Sequence, residues 1–181
     1  MIRVPWKAAA AGARTAVRAE LVDLYRTLVD LAGLDARALE PDVQGVSLAP
    51  LFDAPAAPPP ALAGKTAFSQ IGRCGCTNYT KHNWTGLECG AGACVNTDIT
   101  KFDFIGYSQR APDGWRYTVW VPMANGTANF SGPLYDELFD LTADTGADFD
   151  NDDYAANVAG AHPAMVAQLR ASLVAEVQTW A

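Results

Sequence analysis

The chain has 181 residues, 50% of them hydrophobic and 18% charged, which is enough for a domain with a real core. Its formal net charge of −7 excludes an ordinary nucleic-acid partner, because phosphate neutralisation needs a basic surface. No run of eighteen or more apolar residues occurs, so no membrane-spanning helix is expected.

The opening stretch, MIRVPWKAAAAGARTAVRAE, carries Arg3, Lys7, Arg14 and Arg18 ahead of the first acid, Glu20. Its charge and alanine content are those of an organelle transit peptide. Pro5 and Trp6 would interrupt the amphipathic helix such a leader needs, and the stretch runs directly into a helical segment. The expectation is a loop and helix start from within a longer chain. No apolar core of secretory-signal length is present.

Glu20 to Leu34, ELVDLYRTLVDLAGL, is predicted helical. Leu21, Leu24, Tyr25, Leu28 and Leu31 recur at three- and four-residue steps and predict a stripe facing the core. Gly33 stands where a left-handed C-cap is wanted. PDVQGVSLAPLF follows at Pro41 to Phe52. Residues 53–63, DAPAAPPPALA, form a Pro/Ala linker that is expected to be extended and poor in ladder bonds. Ala67 to Gln70 reads as a short strand. Residues 73–97, rich in Gly, Asn and Thr, show neither helical nor strand period and read as a loop.

Phe102 to Ser108 and Arg116 to Val121 predict a hairpin. Its turn is Ala111-Pro-Asp-Gly114, in which Pro112 presets φ and Gly114 tolerates a positive φ. Asp136 to Leu141 is a further strand candidate. From Pro163 onward the tail predicts a helix with Val166, Leu169, Leu173 and Val177 on one face. No internal repeat is present.

Four sequons, at Asn78, Asn83, Asn125 and Asn129, lie within 54 positions and are expected glycosylation sites. Beside them Cys74, Cys76, Cys89 and Cys94 lie within 21 residues. The spacing departs from paired zinc knuckles. Disulfides in a glycosylated loop are the expected state, with a Cys74–Cys76 bridge disfavoured by strain and the pairing otherwise open. Together these marks predict a secreted or lysosomal protein, and secretory marks without a leader suggest that the beginning of the chain is missing. Residues 136–153 carry eight carboxylates. An EF-hand aligned on Asp148 needs Gly where Asp153 stands and Glu where Ala159 stands, so a solvated acidic turn is expected instead.

Several segments, in order, resemble the carboxy-terminal region of sulfatases, closest to the iduronate-2-sulfatase-like branch. Arg3-Val-Pro5 is similar to a late "VPL" strand. The 20–34 helix resembles "VDLYPTLxxLAGL", with Arg26 in place of proline. Gly45, Ser47, Leu48, Pro50 and Leu51 match "GxSLxPLL". Gly106-Tyr-Ser108, Arg116-Tyr-Thr118 and Trp120 match that branch's hairpin, and ELFDL at Glu137 to Leu141 its "ELYDL" segment, with Asp144-Thr145 in place of "DP".

The resemblance implies an α+β piece of an α/β sulfatase. Residues 1–52 would be the last strand and helix of the large domain. Residues 64–181 would be a small antiparallel sheet with a C-terminal helix, carrying the 73–97 insertion. It implies a sulfuric ester hydrolase that shapes a pocket for a sulfated carbohydrate. Phe68-Ser-Gln70 with Arg73 resembles "YSQxxR", which implies substrate contacts by Gln70 and Arg73. The family's formylglycine comes from a C-x-P-x-R motif, and no cysteine here precedes proline by two positions. Its calcium ligands are likewise not found, so calcium and catalysis are expected from a missing amino-terminal catalytic domain. A stand-alone sugar-binding module presenting Trp84, Trp115 and Trp120, or a non-functional gene fragment, are the alternative expectations.

Overall fold

The computed structural model describes residues 2–35, 37, 41, 43–74, 76–77, 88–89, 94, 97–132, 134–143 and 157–180. The chain divides into two compact units, Met1–Ala67 and Phe68–Ala181.

The first unit is built around helix α1, Asp23–Leu31. It ends in a Schellman arrangement: Gly33, at φ +65°, donates its N–H to the Asp30 carbonyl, and Leu34 N–H reaches back to Val29. The helix is pinned by polar groups. Asp23 is fully buried, and its carboxylate accepts from the N–H groups of Glu20 (2.8 Å) and Val46 (2.9 Å) and from Lys65 Nζ (3.1 Å). Lys65 also pairs with Glu20. One turn on, the Thr27 hydroxyl donates to the Asp23 carbonyl and accepts the Leu48 N–H at 2.8 Å. The 43–48 segment is thereby strapped along the helix. It passes so close that a Cβ on Gly45 would lie 2.5 Å from the Val22 carbonyl oxygen, and Gly45 also holds φ +88°. A 3-10 turn at Ala49–Phe52 and the short helix α2, Pro60–Ala63, then bury Leu48, Leu51 and Leu62 as a small cluster with Val17 packed on it.

This arrangement corrects the expected orientation of α1. Three of the five residues predicted to face the core point outward, Leu21 at 85%, Tyr25 at 54% and Leu28 at 58% exposed, and Leu24 and Leu31 are half-buried, while Asp23, Thr27 and Val29 are buried. Periodicity identifies residues that share a face, not the direction of that face. Here the hydrogen bonds of Asp23 and Thr27 set the direction. The strand expected before α1 is also not formed among the described residues of this unit. Strand geometry needs a ladder partner, and this unit has no sheet among its described residues to supply one.

The second unit is a small α+β fold, an antiparallel sheet with a C-terminal helix. Strand β1, Ala67–Arg73, pairs with β4, Phe104–Arg110, which pairs antiparallel with β5, Trp115–Ala124. The other edge of β5 is shared by β7, Tyr135–Asp140, over Trp115 to Trp120, and by β6, Thr127–Ala128, over Met123 and Ala124. Helix α3, Pro163–Val177, packs on one face. Strand alternation sends Ile105, Tyr107, Tyr117, Val119, Val121 and Leu138 to that face. There they meet Val166, Leu173 and Val177.

The hairpin turn is where proline and glycine predict it: Gly114 sits at φ +93° and donates to the Ala111 carbonyl. A second hairpin had no counterpart among the expected elements. Asn125 (φ 49°) and Gly126 (φ 82°) form a type I′ connection between β5 and β6. Within the 73–97 segment, expected to be a loop throughout, β2 (Cys76–Thr77) pairs with β3 (Glu88–Cys89). Two-residue strands are too short for a period to register.

Replacing Asp23 with Ala is expected to cost the first unit about 3 kcal/mol, because it leaves the Glu20 and Val46 amides without an acceptor and takes from Lys65 one of its two carboxylates. Hydrogen exchange at the Glu20 and Val46 amides reads this directly. Unchanged protection at both would show that the carboxylate does not hold the strap.

Candidate functional site

The face of the second unit's sheet away from α3 carries the polar chemistry. Register sets it out in rows. Ser108, Thr118 and Glu137 form one, Gly106, Trp120 and Tyr135 the next, and Arg110, Arg116 and Phe139 lie at the turn end. The Thr118 hydroxyl donates to Ser108 Oγ at 3.0 Å, and Ser108 Oγ–H to the Tyr117 carbonyl at 3.3 Å. Phe104 meets Tyr135 edge-on.

Gly106 has a packing reason. A Cβ there would lie 2.7 Å from the Trp120 ring, so the ring lies across bare backbone. From β1 the Arg73 guanidinium stands 5.3 Å over that ring, in cation–π range. Arg116 stacks at 4.6 Å on Phe139. Arg110 and Arg116 are directly opposed across the hairpin. Gly106 and Arg110 are four strand residues apart, roughly 13 Å. Arg73, Arg110 and Arg116 are half-buried on this face, among the buried side chains of Phe104, Thr118, Trp120 and Phe139, in a chain of net charge −7.

The residues expected to bind substrate are separated. Arg73 lies on this face. Phe68 on the same strand meets Trp180 on the α3 side, and alternation puts exposed Gln70 with Phe68. Arg73 and Gln70 therefore lie on opposite faces of the sheet. Of the expected sugar-gripping tryptophans, Trp120 is buried under Arg73. Trp115 packs against the core cluster and His162, and Trp84 lies outside the described residues. Asn125 and Asn129 are exposed, while Asn78 and Asn83 lie outside the described residues.

Cys74 and Cys94 form a disulfide with Cα atoms 5.3 Å apart, and Cys74 directly follows Arg73. Cys76 and Cys89 are opposite each other in the β2–β3 register. Among the described residues no group of three or more His, Cys, Asp or Glu side chains converges to hold a metal ion. Most of the acidic run, from 144 on, lies outside the described residues.

On the helix face a second polar assembly ties α3 to the sheet. Arg170 grips Asp136 through Nε at 3.0 Å and through Nη2, and the Tyr117 hydroxyl donates to the same carboxylate at 2.6 Å. Burial, then the hydrogen bond to the anionic carboxylate, pushes the Tyr117 phenol far above its ordinary value. The carboxylate raises Arg170 as well. Asn157 completes the joint, accepting from the Leu138 and Ala159 N–H groups.

No protein-family model, curated protein or solved structure matches the chain.

A raised folded-state phenol gives stability that is fully present below the unfolded value, about pH 10, and lost as pH rises through the folded one. Wild-type melting is therefore expected to fall more steeply above pH 10 than that of Tyr117→Phe. Parallel curves would remove the phenol from the alkaline transition. Reducing the Cys74–Cys94 bridge, which spans 20 positions, is expected to cost about 3 kcal/mol. A denaturant midpoint unmoved by reductant would count against it.

Proposed function

We propose that this chain is the carboxy-terminal portion of a sulfatase of the iduronate-2-sulfatase-like kind, and that the half-buried arginines on the sheet face away from α3 help to hold a sulfated carbohydrate. The observation that carries the reading is the line of guanidiniums from Arg73, over Trp120, to the opposed pair Arg110 and Arg116. Sulfate monoesters are anionic and tetrahedral at sulfur, and two of their oxygens can accept from the planar fork of an Arg guanidinium. The ordered run of family-like segments supports the same reading.

The uncovered stripe of α1 supports the second half of it. Large apolar side chains left outside while Asp and Thr are buried mark a surface that expects a partner. In this reading the partner is the catalytic sulfatase domain. It would supply the formylglycine nucleophile and the calcium site, since no C-x-P cysteine occurs here. The chain's own contribution is positioning: Arg73 orients an anionic group, and Trp120 gives the guanidinium a fixed platform. Secretion or lysosomal delivery fits the disulfide and the sequons.

The 181-residue chain alone is expected to hydrolyse no aryl sulfate, and to bind a sulfated disaccharide more tightly than its desulfated counterpart. Arg73→Ala is expected to weaken that binding about tenfold, with the sheet intact by circular dichroism. Equal affinity for sulfated and desulfated sugar, or turnover by the chain itself, would overturn the reading.

A further inference from the structure

The first unit contains an open cleft of about 570 Å³, within the range of small-molecule sites. Its walls are mostly apolar, with Pro50 and Pro59 among them, and Trp6 lines it while remaining 67% exposed. Proline fixes φ, so these walls are held before any ligand arrives. Three charged groups line the same cleft. Lys7 Nζ donates to Asp53 Oδ1 at 2.6 Å, which leaves Asp30 as the uncompensated charge among the lining residues.

We propose that this cleft binds a neutral pyranose ring of a saccharide. An exposed indole offers an apolar plate for the C–H face of a sugar, with its N–H at the wet edge. The two carboxylates accept from sugar hydroxyls, and the Lys7 ammonium donates to a hydroxyl or ring oxygen. The net negative charge of the lining excludes sulfated or carboxylated sugars by like-charge repulsion. Trp6 thus takes the role expected of the other tryptophans, in the other unit and with the opposite charge preference. The proposal stands independently of the hydrolase reading, because its ligand is uncharged and its residues lie outside the sheet.

The test is a heteronuclear NMR titration of the full chain, following the five tryptophan indole signals. The probes are a neutral N-acetylhexosamine tetrasaccharide and a sulfated disaccharide, with the Trp6 signal assigned by its loss in Trp6→Phe. The neutral probe is expected to move the Trp6 indole and leave Trp120 in place. Trp6→Ala is expected to weaken its binding about tenfold or more, while Trp6→Tyr, which keeps a ring face, retains most of it. Trp6 is exposed, so both variants should keep the wild-type amide dispersion. A stationary Trp6 signal, equal affinity in Trp6→Ala, or stronger perturbation of Trp6 by the sulfated probe would overturn the proposal. Failure of the hydrolase reading would register separately, at Trp120.

Discussion

Strand β5 is the constraint on which the second unit depends. It is hydrogen-bonded along both edges, by β4 on one side and by β7 and then β6 on the other. A strand held on both edges cannot slip by one residue without turning every side chain over. Its alternation therefore divides the labour of the unit. Tyr117, Val119 and Val121 are committed to α3, and Arg116, Thr118 and Trp120 to the opposite face. The guanidinium-bearing face and the hydrophobic core are two sides of one register.

In the first unit the corresponding constraint is electrostatic. Asp23 and Thr27 face inward because only they can satisfy the amides of the strap at 46 and 48. A buried carboxylate without donors would be costly, and with Lys65 and two N–H groups it becomes an organising centre. The helix then turns Leu21, Tyr25 and Leu28 outward, with Leu24 and Leu31 only half-buried. Much of its apolar stripe is left exposed as a direct consequence of how well its polar side is satisfied.

Much of this was legible in the sequence. Proline at 163 with four apolar residues at helical spacing located α3, and Pro-Asp-Gly located the central hairpin. What escaped detection had physical reasons. The direction of α1 depends on Asp23 and Val46, which are 23 positions apart, and no local period carries that information. Asn125 and Gly126 belong at once to a sequon and to a turn, and the tripeptide pattern alone does not separate the two signals. The pairing of Arg73 with Trp120 depends on the absence of a side chain at Gly106, a third position on a third strand. Gln70 and Arg73 read as neighbours in a motif because spacing along a chain does not reveal the parity of a strand until the strand is known to continue through both.

The bare backbone at Gly106 has a consequence for how such chains diverge. The Trp120 ring occupies the volume a side chain at 106 would need, and Arg73 in turn rests on that ring. The three positions form a single unit of inheritance. A descendant that acquires alanine or serine at 106 has to give up the indole at 120, and the guanidinium at 73 then has no platform. Substitutions at the three sites should therefore arrive together or not at all, leaving a signature of covariation across three strands even where the surrounding sequence has drifted.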